Sequence, residues 1–313
     1  MHFKKHNLIF FSVFTLFILP ITGCGQKEPG EQSIQHTTTT SIKFEGSTPS
    51  VHKKKLADEE IEKNKRLLET NPKDAKAYHN LGLLYDEKGM LDESLDAYKK
   101  ASEIDSMMVE SFVGQGNILN KKGKSDEAIS VFKKALEIDS HHASAYEGLG
   151  LVYIHKKQEE DATKSFQKAI GLNPGLVNSR YNLGILYAKK VQFNEAVAEW
   201  TKAIEINPQK IEIYYNLGIA YTKLGKTDDA ISIWQKALTI RPDMVDLHYV
   251  IGIAYKEKGD FANAESSLKK ALEVDSKLVE VHKVLEELYR SKGMMGEADR
   301  EAELYKSQSS PHH

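Results

Sequence analysis

The sequence predicts an all-α fold, a solenoid of stacked antiparallel helix pairs, and three observations carry that expectation. The hexapeptides "NLGLLY" (Asn80–Tyr85), "NLGILY" (Asn182–Tyr187) and "NLGIAY" (Asn216–Tyr221) are separated by 102 and then 34 residues, and 102 is three times 34. The stretches between them keep the same phase. With units starting at Ala75, Val109, Ala143, Val177, Ile211, Val245 and Val279, position 8 is glycine in six units and position 27 is alanine in six, from Ala101 to Ala271. Within each unit, apolar residues recur three or four apart over two runs with a break between them, as two helices joined by a turn require.

The elements follow in chain order. The first residues place Lys4 and Lys5 before an apolar run from Leu8 to Leu19, about 12 residues. A membrane-spanning helix needs roughly 20, so residues 1–23 are expected to be a cleaved secretory signal. From Cys24 to residue 55 the chain is polar, with "TTTT" at Thr37–Thr40 and "GSTPS" at Gly46–Ser50, and is expected to be a flexible tether. Residues 56–72 are expected to form a capping half-repeat, with Leu67 at position 27, Pro72 at position 32 and Asn64 as a solvated departure at position 24. Seven units then run without insertion over 75–108, 109–142, 143–176, 177–210, 211–244, 245–278 and 279–306.

Each unit has its own internal logic. In the fifth, Tyr214, Leu217, Gly218 and Tyr221 share one helix face, and Gly225 is placed to stop that helix in the left-handed geometry. Gly89, Gly123, Gly259 and Gly293 stand at the same position, and Asp92, Asp126, Asn194 and Asp228 three residues later are expected to cap the second helix. Small residues at positions 8, 20 and 27 let helices approach, and the large residue at position 24 (Tyr98, Phe132, Phe166, Trp200, Trp234) fills the space beside them. Pro174, Pro208 and Pro242 are expected to end second helices, because proline lacks the N–H that would continue them. The seventh unit breaks the pattern with Glu286, Ala302 and Tyr305, as a terminal unit facing water does, and residues 307–313 are expected to be a disordered tail.

This pattern resembles the tetratricopeptide repeat (TPR), a 34-residue helix–turn–helix unit. The resemblance covers about 230 of the 313 residues. It implies a right-handed superhelix with a concave face lined by first helices. The segment Ile21-Thr22-Gly23-Cys24 is similar to the lipobox of bacterial lipoproteins, and Cys24 is the single cysteine of the chain. That resemblance implies an acylated Cys24 as the lipid attachment point. Two or more chains hold a protein on a bilayer, each buried methylene adding about 0.8 kcal/mol. Gly25 stands where an aspartate would mark inner-membrane retention in some Gram-negative bacteria. The expected location is therefore the outer membrane facing the periplasm, or the outer face of the cytoplasmic membrane in a Gram-positive cell.

No catalytic constellation emerges. The sequence has no phosphate loop, no Gly-x-Ser-x-Gly and no Cys-x-x-Cys, and its 12 histidines are scattered. His248 and His282, both at position 4, are read as packing residues where an aromatic usually stands. No cofactor or metal is expected. Formal net charge is −2, falling to −4 once Lys4 and Lys5 are removed, with no basic stripe, so nucleic acid is not an expected partner.

Positions 5, 6 and 9 of the first helices tend to line the concave surface of TPR proteins. In units four to six they offer Tyr181, Asn182 and Ile185, then Tyr215, Asn216 and Ile219, then Tyr249 and Ile253. Tyrosine provides contact area with a polar tip, and asparagine can pair with a peptide backbone. The same stripe could instead pack first helices together, and this alternative stands beside the binding reading. The resemblance implies a non-enzymatic, lipid-anchored scaffold that binds protein or peptide partners of the bacterial envelope. A second possibility is a peptidoglycan-binding protein that stacks glycan strands on the tyrosines.

Overall fold

The computed structural model describes residues 49–309, which form fifteen helices and no strand. The expected signal, Cys24 and most of the expected tether lie outside the described residues. After α1 (Pro49–Thr70) come seven helix pairs: α2 (Ala75–Glu87) with α3 (Leu91–Ile104), α4 (Val109–Lys121) with α5 (Ser125–Ile138), α6 (Ala143–His155) with α7 (Glu159–Leu172), and α8 (Val177–Lys189) with α9 (Phe193–Ile206). They continue with α10 (Ile211–Lys223) and α11 (Thr227–Ile240), α12 (Val245–Glu257) and α13 (Phe261–Val274), and α14 (Val279–Ser291) and α15 (Met295–Ser309). Among the described residues no helix is long and apolar enough to cross a membrane.

The core repeats with the sequence. Ala128, Phe132 and Ala135 are fully buried in one second helix, and Ala230, Trp234 and Ala237 in another. The glycine at position 8 is a steric necessity. A methyl group on Gly218 would lie 2.1 Å from the indole nitrogen of Trp234, inside van der Waals contact. First helices of successive units approach one another, α2 with α4, α4 with α6 and α12 with α14, more closely than second helices do, so the stack curves toward its first helices. Outside, exposed ion pairs cross the junctions from position 14 to position 18 of the preceding unit: Lys88–Asp58, Lys122–Asp92, Lys156–Asp126 and Lys258–Asp228.

Several expectations are corrected. Helix α1 begins at Pro49, inside the stretch expected to be tether, and α15 runs to Ser309, three residues into the expected tail. In α1 the buried face carries Ile61 and Asn64, while Leu67 is 44% exposed. Asn64 is therefore not solvated. Its amide donates to the Glu60 carbonyl at 2.8 Å, which satisfies it inside the packed face. Asp92, Asp126 and Asp228 lie in the first turn rather than at the cap, where the helix dipole favours them and the lysines above reach them. Side-chain caps come from Asp74, accepting from Ala77 N at 3.0 Å, and Asp260, accepting from Asn263 N at 3.2 Å.

The helices before Pro174, Pro208 and Pro242 end two residues ahead of each proline, as expected, and a second device recurs at the unit ends. Asp105, Asp139, Asn173, Asn207 and Asp275, at position 31, each accept from the backbone N–H two residues on at 2.9–3.1 Å. This Asx turn recurs whether proline or serine follows. Glycine stops five first helices with φ between +73° and +78°, but Lys157 (φ 58°) and Val191 (φ 62°) hold the same left-handed position in units three and four.

Candidate functional site on the inner face

The inner face is built from the sides of first helices that remain after packing. Helices α8, α10 and α12 bring the expected residues into one row. Tyr181, Tyr215, Tyr249 and Ile219 are half-buried, whereas Asn182, Ile185, Asn216 and Ile253 are each at most 6% exposed. The accessible part of the row is thus mainly tyrosine. The buried part has structural contacts: Asn216 Nδ2 donates to Tyr181 Oη at 3.2 Å, tying unit five to unit four. Asn182 Oδ1 meets no donor among the described residues.

Two of the three tyrosines are fixed from behind. Trp200 Nε1 donates to the Tyr181 carbonyl at 3.0 Å and Trp234 Nε1 to the Tyr215 carbonyl at 3.1 Å. Burial raises the pKa of all three phenols, and the charges of Glu212, Asp246 and Glu280 add to this at Tyr181, Tyr215 and Tyr249 respectively. The phenols are therefore neutral hydrogen-bonding groups rather than nucleophiles at neutral pH.

The position-5 row changes character in the first half of the stack. His79 Nδ1 and Ser111 Oγ are 3.0 Å apart, and Ser179 Oγ donates to Glu147 Oε1 at 2.9 Å, so positions 5 and 3 link successive units there. Position 6 is Gly114 and Gly148, where an added methyl would meet the rings of Tyr98 and Phe132 at 2.6 and 2.3 Å.

Sequence reasoning at positions 5, 6 and 9 missed the charged residues bordering the row. Glu212, Asp246 and Glu280 stand at position 2 of units five, six and seven, and Lys210 ends unit four beside Tyr181. Reading the position-2 column across units would have found the acids. The two position-4 histidines do pack, but with polar contacts: His282 Nδ1 lies 2.6 Å from Glu301 Oε2, and His248 Nε2 lies 2.8 Å from the Pro242 carbonyl. Among the described residues no three histidine, aspartate or glutamate side chains converge as a metal site.

Comparison with known proteins agrees with this architecture. Profiles of the tetratricopeptide repeat match residues 75–107 and 211–244 in one form, 143–176 and 245–278 in a second, and 116–157 and 192–225 in a third. The fold is similar to that of YrrB, described as a TPR protein with an unusual peptide-binding site. The identity is 26%, over 61% of this chain and 98% of that one, with a TM-score of 0.56. It is also similar to the C-terminal part of a TPR repeat-containing protein from Cytophaga hutchinsonii, at 16% identity over 74% and 95% of the two chains and a TM-score of 0.64. PilF of Pseudomonas aeruginosa shares the fold at 16% identity, over 65% and 93%, with a TM-score of 0.52. No curated protein sequence matches the chain.

Proposed function

The chain belongs to the tetratricopeptide-repeat family, a protein-interaction fold, and on that premise we propose that it is a non-enzymatic scaffold of the bacterial cell envelope. It is anchored by lipid on Cys24 and binds protein or peptide partners on its inner face. The observation that carries this reading is the row of half-buried tyrosines, Tyr181, Tyr215 and Tyr249, of which the first two are held in register by tryptophan bonds to their carbonyls and Tyr181 also by Asn216 at its hydroxyl. A rigid, repeated aromatic surface loses little entropy on binding an extended segment. The peptide-binding description of YrrB supports the same use of the fold. The lipobox-like sequence before Cys24 supports the anchor, and Gly25 supports the outer membrane as its place, facing the periplasm.

Crosslinking in native membranes tests the scaffold. Defined envelope proteins should be captured by the intact chain and lost when Tyr181→Ala, Tyr215→Ala and Tyr249→Ala are combined, with helicity retained. Equal capture by both would move the partner site elsewhere. Metabolic labelling with an alkyne fatty acid tests the anchor: the label should vanish in Cys24→Ser, and its persistence would refute acylation at that residue.

A further inference from the structure

The junctions between first helices in the second half of the stack bring together the same set of positions: the tyrosine at position 5, the residue at position 34 that leads into the next unit, and position 2 of both units. Between units four and five, position 34 is Lys210. Its ammonium lies 5.2 Å from the centre of the Tyr181 ring and donates to Asn178 Oδ1. Burial lowers its pKa, while the carboxylates of Glu212 and Glu147 act in the opposite direction. This is a tyrosine–carboxylate cage filled by the protein's own lysine.

The next two junctions keep the tyrosine and the acid at position 2 of the later unit and change the other two positions. Position 34 becomes Met244 and then Leu278, so neither brings a cation. Position 2 of the earlier unit changes from the neutral Asn178 to Glu212 and then Asp246. In repeat register, Tyr215 is flanked by Glu212 and Asp246, and Tyr249 by Asp246 and Glu280. All three acids are exposed, and none forms an ion pair among the described residues. Glu287, which also acts on Tyr249, is by contrast paired to Lys256 at 2.5 Å. Lys283 stands where the next tyrosine would be and closes the row. Thus an amide borders the cage that holds an internal cation, and a second acid borders each cage that holds none.

We propose that the cages at Tyr215 and Tyr249 receive two basic side chains of a protein partner, making the scaffold a reader of extended segments that carry lysine or arginine, with Lys210 as the internal copy of the guest. This rests on the reading of the inner face as the binding surface, and it adds the chemistry of what binds.

Fluorescence anisotropy with the full chain and a labelled peptide of six Lys-Ala repeats tests it, beside the same peptide with acetylated lysines and a Glu-Ala counterpart. The lysine peptide should bind saturably and the other two about tenfold more weakly or worse. Asp246→Asn with Glu280→Gln should weaken the lysine peptide by about tenfold. Glu205→Gln with Glu273→Gln removes the same charge from exposed positions of second helices and should leave binding unchanged. Met244→Lys with Leu278→Lys, which copies Lys210 into the two cages, should also weaken it. Binding lost equally in the Glu205/Glu273 variant would show general attraction and overturn the cages. Equal binding of acetylated peptide, sensitive to Tyr215→Ala, would overturn them too while leaving the inner face as a binding surface. If no peptide binds, the cages fall, and native-membrane crosslinking then decides separately whether the scaffold reading falls with them.

Discussion

Units four and five share the hexapeptide and carry the chain's two tryptophans in one position, each donating to the carbonyl of the position-5 tyrosine. They nevertheless fill positions 4 and 23 in opposite ways. In unit five these are Tyr214 and Ile233, both buried in the apolar core. In unit four they are Arg180 and Glu199, an ion pair at 2.5 Å whose side chains are 8% and 17% exposed, and Arg180 Nε also donates to the Pro174 carbonyl at 3.0 Å. Unit seven repeats the polar solution with His282 and Glu301. The repeat therefore constrains pairs of residues rather than single ones: a position tolerates a charge when its partner position answers it.

The largest effect should come from splitting that pair. Arg180→Ala leaves the Glu199 carboxylate confined without its counter-ion and should cost about 3–5 kcal/mol. Arg180→Tyr combined with Glu199→Ile, which copies unit five, should return to within about 1 kcal/mol of the parent or exceed it. Urea unfolding followed by tryptophan fluorescence reports on these two units alone, since both tryptophans lie there. Equal losses in the single and double variants would break the idea of paired constraint.

Next in size is the feature the two units share. Gly218→Ala and Gly184→Ala place a methyl 2.1 and 2.4 Å from the indole nitrogens of Trp234 and Trp200, and each should cost about 1–3 kcal/mol. A loss in one unit only would show that the second helices differ in their freedom to shift. A smaller effect of the opposite sign is expected where the units differ in backbone. Val191 holds φ 62° with a β-branched side chain, whereas Gly225 holds φ 73°. Val191→Gly should raise stability by about 1 kcal/mol, and Gly225→Val should lower it by at least that much. Thermal denaturation would check both.

The smallest effect concerns a more exposed charge cluster between units six and seven. Lys269, Lys292 and Tyr289 donate to the Glu265 carboxylate and hold its pKa at about 2, against an ordinary 4.5. Its stabilising contribution is present above the ordinary value and is lost as pH falls through the depressed one. The parent should exceed Glu265→Gln in urea midpoint at neutral pH, and the gap should close between pH 4.5 and about 2. A gap that is constant over this window would remove the linkage.

Much of the architecture was legible because a 34-residue period samples the same environment seven times. Gly82, Gly116 and Gly150 recur at position 8 of successive units, and each faces a ring, of Tyr98, Phe132 and Phe166 respectively. The inner row was legible as a row, but its accessibility was not: that Asn216 is buried and bonded to Tyr181 depends on how far one first helix rotates against the next, and no single-unit pattern reports this. Helix α1 failed for a related reason. The repeat register holds for units that pack on two sides, whereas α1 packs chiefly on α2 and turns Ile61 rather than Leu67 inward. The Asx turns are legible only in the position-31 column, which is aspartate or asparagine in five of six units, and not in the proline of position 32, which is absent after Asp105 and Asp139.

The second helices of units one to six all end at position 30, and this makes the array editable. Excising residues 211–244 would join Lys210 directly to Val245 with every helix length kept, and Asp246 would take the place of Glu212 beside Tyr181 and Lys210. One acid replaces another at that seam. Excising residues 177–210 instead would remove Asn178, Tyr181 and Lys210 together and bring Tyr215 beside Glu147. Units of equal length are thus not interchangeable words. They follow a grammar of adjacency, in which each unit is completed by particular residues of the neighbours it is given.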